Sequence, residues 1–268
     1  MPRFFIEQVV PADAEVLTLG ADDTHHACQV LRLKQGDEIE VCDDHHTLHR
    51  CVIRDLPKRQ EKLTVQIIER QLSDSEPPYE IILYQALPKG DKMTTVIRMA
   101  VELGVTQIVP VLAERSVSRP TEKKLENRRQ RWQNVAEAAA KQCGRARVPQ
   151  VLSLMTVAES LTYLDDIRLE GKSGSRQLVD GPPVGEDILT FIPYEGEDAV
   201  SLHDYLNPHP RPNQIAFFVG PEGGFSAAEI DQFMSAGLST VSLGPRILRT
   251  ETAAAAVLSM LSYHYELT

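Results

Sequence analysis

Two glycine-containing segments near the C-terminal end hold the residue types best suited to chemistry. Gly220-Pro221-Glu222-Gly223-Gly224 follows the apolar run IAFFV and opens into SAAEIDQFMSAG, and Leu243-Gly244-Pro245-Arg246-Ile247-Leu248-Arg249-Thr250-Glu251 follows STVSL and opens into the last helical stretch. Each leaves a short apolar strand and enters a helix, and ligands of open α/β sheets sit at such strand ends. The glycines permit close backbone approach. Ser226 and Glu229 have the spacing of a capping box, which specifies where the helix begins. Glycine ahead of a helix suggests a phosphate site, yet neither GxxxxGK[ST] nor GxGxxG is present, and the Glu222 carboxylate would repel phosphate. A neutral or cationic ligand suits the first loop better. One such loop alone would be no more than a tight turn; a second of the same build argues for a binding edge.

These loops need a sheet to hold them. Before residue 73 the chain reads as short strands, RFFIEQVV, EIEVCD, TLHRCVIRDL and LTVQIIERQL, with one helical piece after Thr24 as its expected cap. Short, closely spaced strands suggest a small barrel-like domain over residues 1–72. Ser73-Asp74-Ser75-Glu76-Pro77-Pro78 is the expected linker, because its prolines disfavour helix and sheet interior. From residue 79 to 268 the pattern is α/β. EIILYQAL, then a helix from Asp91 as its expected cap, then QIVPVL form a βαβ unit, and a long helix ends near Gly144. Residues 171–185, rich in Gly, Ser and Pro, are expected to form an exposed loop.

With 268 residues the chain can bury two cores. It shows no run of about eighteen apolar residues and no leader-like start, so no membrane association and a cytoplasmic location are expected. Cys28, Cys42, Cys51 and Cys143 form no CxxC pair and are expected to be reduced. A net charge of −10 opposes nucleic-acid binding at first sight. The distribution reverses it: Tyr84 to Arg147 holds 13 Lys/Arg against 6 Asp/Glu, whereas Val148 to Leu248 holds 5 against 14. A basic segment in an acidic protein suggests a local polyanion footprint, the alternative being a solvated helix face.

FFVGPEGGFSAAEI, LGPRILRTETAAAA, ALPKGDKM, ELGVTQIVPV and the early RFF resemble the ribosomal small-subunit RNA uridine N3-methyltransferases of the SPOUT superfamily. The resemblance runs from about Arg3 to the last helix. It implies a PUA-like N-terminal β-barrel domain and a catalytic domain whose C-terminal segment threads a trefoil knot. It also implies a homodimer, S-adenosylmethionine as cofactor and small-subunit ribosomal RNA as substrate. Because a small basic face and one β domain offer limited base readout, that RNA is expected to be read as a folded surface, in assembled or partly assembled subunits. The cofactor residues carried over are Gly220, Pro221, Glu222 and Gly223, with Leu243, Gly244, Ile247, Leu248, Arg249 and Thr250. A third loop, Ile192 to Glu195, brings Ile192 and Pro193.

The residue types agree with that implication. Leu243, Ile247 and Leu248 around Gly244 offer the flat apolar slot and backbone edge that adenosine needs. Arg249 could stabilise the anion that forms when uridine N3 loses its proton. Glu222 or Glu251 could take that proton, or could instead brace the loop and complement the last helix's N-terminus. Arg3, Arg32, Lys34, Lys89, Lys92, Arg145 and Arg147 are the candidate RNA contacts, any of which could be a solvated charge. His25, His26, His45, His46 and His49 with Cys28, Cys42 and Cys51 crowd a short span but have no regular zinc spacing, so no metal is expected; the turn Asp43 to His46 should point its side chains outward. The alternatives are a knot-fold enzyme with a ribose 2′-hydroxyl or a transfer RNA base as acceptor, and a non-catalytic ribosome assembly factor.

Overall fold

A computed structural model describes residues 1–57, 61–117, 122–172, 188–196 and 199–267. Most of the loop expected at 171–185 lies outside the described residues. The described chain forms two compact units, Met1–Glu76 with Ala140–Val148, and Pro77–Ala139 with Pro149–Thr268.

In the N-terminal unit, β1 (Arg3–Phe5), β2 (Val16–Thr18), β3 (Glu38–Cys42), β4 (Thr47–Ile53) and β5 (Thr64–Leu72) form one sheet in the order β1-β3-β4-β5-β2. All pairs are antiparallel except β1 with β3. Alternation places Phe4, Leu17, Ile39, Val41, Cys51, Ile53, Leu63 and Val65 on one buried face. A short helix α1 (Ala21–His25) continues into a π-helical turn, His26–Val30. Thr24 is not its cap. Gly20 occupies that position, and the buried Thr24 hydroxyl instead accepts the Leu63 amide at 2.9 Å.

Ala140–Val148 belongs to this unit for reasons that the sequence does not advertise. Gly144, at φ +77°, ends α3 (Glu122–Cys143), and the Arg145 amide returns to the Ala140 carbonyl at 3.1 Å, the pairing of a Schellman stop. Arg145 is then 3 % exposed and pairs with Glu76 at 2.6 Å. Arg3 pairs with Glu40 at 2.8 Å and donates to the Gly144 and Arg145 carbonyls.

The C-terminal unit is built on a parallel sheet in the order β11-β13-β10-β12-β6-β7-β8, with β9 also beside β7. Its strands are β6 (Glu80–Ala86), β7 (Gln107–Leu112), β8 (Gln150–Val151), β9 (Met155–Thr156), β10 (Ile188–Pro193), β11 (Val200–Ser201), β12 (Gln214–Val219) and β13 (Ser239–Ser242). Every pairing is parallel. The central strands are buried on both faces, which is why they are near-continuous apolar runs. The helices are α2 (Lys92–Glu102), α3, α4 (Val157–Lys172), α5 (Leu202–Leu206), α6 (Ala227–Ser235) and α7 (Thr250–Glu266). After β12 the chain crosses β10 to reach β13, then returns so that α7 packs against α2 and β12. Asp91 stands at the N-cap of α2 but its side chain makes no capping bond; Arg131 lies 3.6 Å from it. On α3, Trp132, Ala136, Ala139 and Ala140 are buried and form its packing face.

Candidate active site

Because every strand of the large sheet runs the same way, the C-terminal ends of β6, β12, β10 and β13 share one edge. The segments 87–91, 220–226, 194–196 and 243–249 leave from that edge. The two glycine loops are therefore brought to one side of the sheet, with the β10 end in register between their strands.

A buried glutamine holds this edge together. Gln85 is fully buried, and its Nε2 donates to the Ala86 carbonyl at 3.0 Å and to the Thr250 hydroxyl at 2.9 Å. Thr250 in turn donates to the Gly220 carbonyl at 2.6 Å. The first residue of α7 is thus tied to the first residue of the loop after β12. Gln85 Oε1 is a buried acceptor with no hydrogen-bond partner among the described residues, an exception in a folded interior that calls for a donor. No motif marks Gln85; its one signal in the sequence is a polar residue inside the apolar run EIILYQAL, and a buried polar group is the informative kind.

The loop 220–224 is closed tightly. A Cβ on Gly220 would stand 3.2 Å from Gly224 Cα, so a side chain there would push the two limbs of the turn apart. The capping box forms as its spacing predicted: Ser226 accepts the Glu229 amide, and Glu229 accepts the Ser226 amide at 2.8 Å. Glu229 also accepts the Glu114 amide at 2.7 Å, and Arg115 donates to the Gly223 carbonyl at 2.8 Å. The segment after β7 therefore braces the loop too, a contact that no motif announced.

Glu222 points back at the segment after β6. Its oxygens accept the Lys89 amide at 3.2 Å, and Lys92 Nζ lies 2.9 Å from Oε1. Partial burial would raise the Glu222 carboxyl, but the hydrogen bonds from Lys92 and from backbone amides outweigh it and hold the group below the usual carboxylate range. Lys92 also lies 3.4 Å from Glu251 Oε2, a pairing without hydrogen-bond geometry. Arg249 is different. It occupies the N-cap position of α7 and is exposed; its carbonyl accepts the Ala253 amide at 2.8 Å, while its side chain makes no hydrogen bond or ion pair among the described residues.

The apolar part of the edge lies around Gly244. This glycine has φ +104°, and a Cβ on it would meet nothing within 4 Å. Ile247 is 84 % exposed, while Leu243 and Leu248 are half-buried. Open space beside a glycine, an uncovered apolar side chain, an orphaned buried acceptor and a carboxylate at the rim fit a nucleoside that carries a positive charge. Ile192 does not join this surface, since its side chain is buried in the core; Pro193 is half-buried and Tyr194 is exposed at the strand end.

The candidate RNA contacts separate in the same way. Arg145 is buried on Glu76, and Arg3 is committed to Glu40 and to two carbonyls. Neither guanidinium is available to a phosphate in this structure. Lys92 serves the two glutamates. Arg32, Lys34 and Lys89 are exposed, and Arg147 is half-buried.

In the histidine and cysteine span, His49, Cys42 and Cys51 are packed into the N-terminal unit. Asp43 is turned inward, not outward as the hairpin reading expected: it accepts the Val10, His45 and Thr47 amides and sits 3.1 Å from buried His49 Nε2. Burial pushes the Cys42 and Cys51 thiols up to about 12. Among the described residues no three His, Cys, Asp or Glu side chains are placed to hold a metal.

With this geometry in hand, comparison with known proteins is specific. A family profile described as an RNA methyltransferase domain matches residues 75–262, and one described as an RNA methyltransferase PUA domain matches residues 19–66. The chain is 32% identical over 256 residues to ribosomal RNA small subunit methyltransferase E of Synechocystis, covering 96% of this chain and 75% of that one. It is 29% identical to the Bacillus subtilis protein of the same name, covering 100% and 98%. Among solved structures, the ribosomal RNA small subunit methyltransferase E from Neisseria gonorrhoeae bound to S-adenosyl methionine aligns with a TM-score of 0.79 at 29% identity, covering 99% of this chain and 98% of that one.

Proposed function

Since this chain belongs to the RNA methyltransferase family, with a PUA-like N-terminal domain, we propose that it is a SPOUT-fold enzyme that methylates N3 of a uridine in small-subunit ribosomal RNA, using S-adenosylmethionine. The observation that carries this reading is the paired loop edge. Gly220–Gly224 and Leu243–Arg249 leave the ends of the two strands that flank β10, the loop after β12 is tied to the start of α7 by Gln85 and Thr250, and Gly244 and Ile247 stay uncovered.

Bound there, S-adenosylmethionine supplies an activated methyl group. The chain's own work is to place and polarise. The backbone around Gly244, with Leu243, Ile247 and Leu248, takes the adenosine, and the backbone of Gly220, Pro221 and Gly223 with Pro193 and Thr250 shapes the rest of the pocket. Arg249, uncommitted at the first step of α7, puts a cation where the uracil carbonyls gain negative charge as N3 is deprotonated, the moment at which a preorganised donor counts most. Glu222 braces the loop; a carboxyl held low by Lys92 is a weak base.

The protein acts as a homodimer in the cytoplasm, on assembled or partly assembled small subunits, without metal. The exposed apolar side chains of Met260 and Tyr263 on α7 and of Leu267 just beyond it support a self-interface. Among the described residues, no helix is long and apolar enough to cross a membrane. Titration calorimetry with S-adenosylmethionine in a chelator tests the cofactor reading. Undiminished one-site binding is the expected result, and loss of binding on chelation would return the histidine and cysteine span to consideration.

A further inference from the structure

Lys92 sits where a lysine is electrostatically misplaced. It is the first residue of α2, and the N-terminus of a helix carries partial positive charge that disfavours a cation. Two carboxylates offset that cost. Nζ lies 2.9 Å from Glu222 of the loop after β12 and 3.4 Å from Glu251 in the first turn of α7. The two acceptor oxygens are therefore no more than about 6 Å apart, close enough to repel each other without a cation between them. Lys89 adds its amide to Glu222, and α2 packs along α7. Beneath this bridge, Gln85 and Thr250 join the same two segments by neutral hydrogen bonds.

We propose that Lys92 is a positioning residue for the cofactor pocket and not a contact to RNA phosphate: by bridging Glu222 and Glu251 it holds the Gly220–Gly224 loop and the start of α7 in the relative placement that binding requires. The inference rests on the S-adenosylmethionine reading above. It commits Lys92 to an effect that exists before RNA arrives. Loss of the cation leaves two facing carboxylates, so the loop and the helix start separate, and Arg249 shifts with the helix it begins.

The test compares wild type, Lys92→Met, Lys92→Arg and the double variant Lys92→Met/Glu251→Gln. Affinity for S-adenosylmethionine is measured by calorimetry without RNA, hydrogen exchange of residues 220–224 in the ligand-free protein, and KM for small subunits. Lys92→Met should weaken cofactor binding about tenfold or more, a change of about 1.4 kcal/mol or more, and speed exchange in the loop. Its KM for subunits should stay near the wild-type value at saturating cofactor. Lys92→Arg should keep most of the affinity. The double variant should regain much of it, because one of the repelling charges is gone. Wild-type cofactor affinity in Lys92→Met with a raised KM for subunits would overturn the proposal and make Lys92 a phosphate contact, and a double variant no better than the single would overturn the bridge. Failure of the wild type to bind the cofactor would sink the functional reading instead.

Discussion

Gly244 and Arg249 stand five residues apart on one loop and answer different questions. Gly244 holds φ +104° with free space where a side chain would project. Valine there would be strained in the backbone and would fill the space assigned to the adenosine. Gly244→Val should therefore abolish measurable cofactor binding by calorimetry, while the far-ultraviolet spectrum stays native. The Arg249 side chain has no partner to lose among the described residues, so Arg249→Ala should leave cofactor affinity nearly unchanged. Methyl transfer should fall by about a hundredfold or more, as when one charge-stabilising donor is removed. Equal losses in affinity and rate would make Arg249 a cofactor or structural residue. Both residues can be singled out as candidates from the sequence, because glycine and arginine in a strand-to-helix loop carry their reasons with them. Gln85, Arg115 and the double role of Lys92 cannot, since each acts through a partner more than 100 positions away.

At the scale of elements, local chemistry was readable wherever it closes within a few residues. The capping box of α6, the parallel sheet and the stop at Gly144 all follow from short-range spacing. Thr24, suited to a cap, is instead taken up by Leu63, and Asp91 holds the N-cap position without making a capping bond. The same holds for Ala140–Val148, which the linear chain places inside the second domain and the Arg145–Glu76 pair places with the first. Removing Glu76 would take away the carboxylate that faces the buried Arg145 guanidinium at 2.6 Å, so Glu76→Ala should lower stability in denaturant titrations near neutral pH, by up to about 3–5 kcal/mol. Burial would raise the Glu76 carboxyl, yet the Arg145 hydrogen bonds outweigh it and hold the group below the usual range. A carboxyl lowered by folding contributes fully above its unfolded value and loses that contribution as pH falls through the folded one. The gap between wild type and Glu76→Ala should accordingly narrow below about pH 4. A gap that did not change with pH would show that the ion pair is not its source.

For the whole molecule, charge and architecture divide the labour. The acidic chain keeps its positive surplus between Tyr84 and Arg147, and Arg145 and Arg3 are occupied by Glu76 and Glu40. What remains for substrate is a limited set of exposed cations and a PUA-like domain, which suits recognition of a folded RNA surface better than of a linear sequence. N3 lies on the Watson–Crick edge, so a uridine methylated there must be unpaired or extruded. The most direct test of this account is nucleoside mass spectrometry. Small subunits from cells lacking the protein would be incubated with the purified protein and S-adenosylmethionine, and their RNA digested and compared with authentic methylated uridines. The account predicts that N3-methyluridine appears in small-subunit RNA and depends on Arg249. Methyl groups found only on a ribose 2′-hydroxyl or on another base, or none at all from a protein that binds the cofactor, would contradict it.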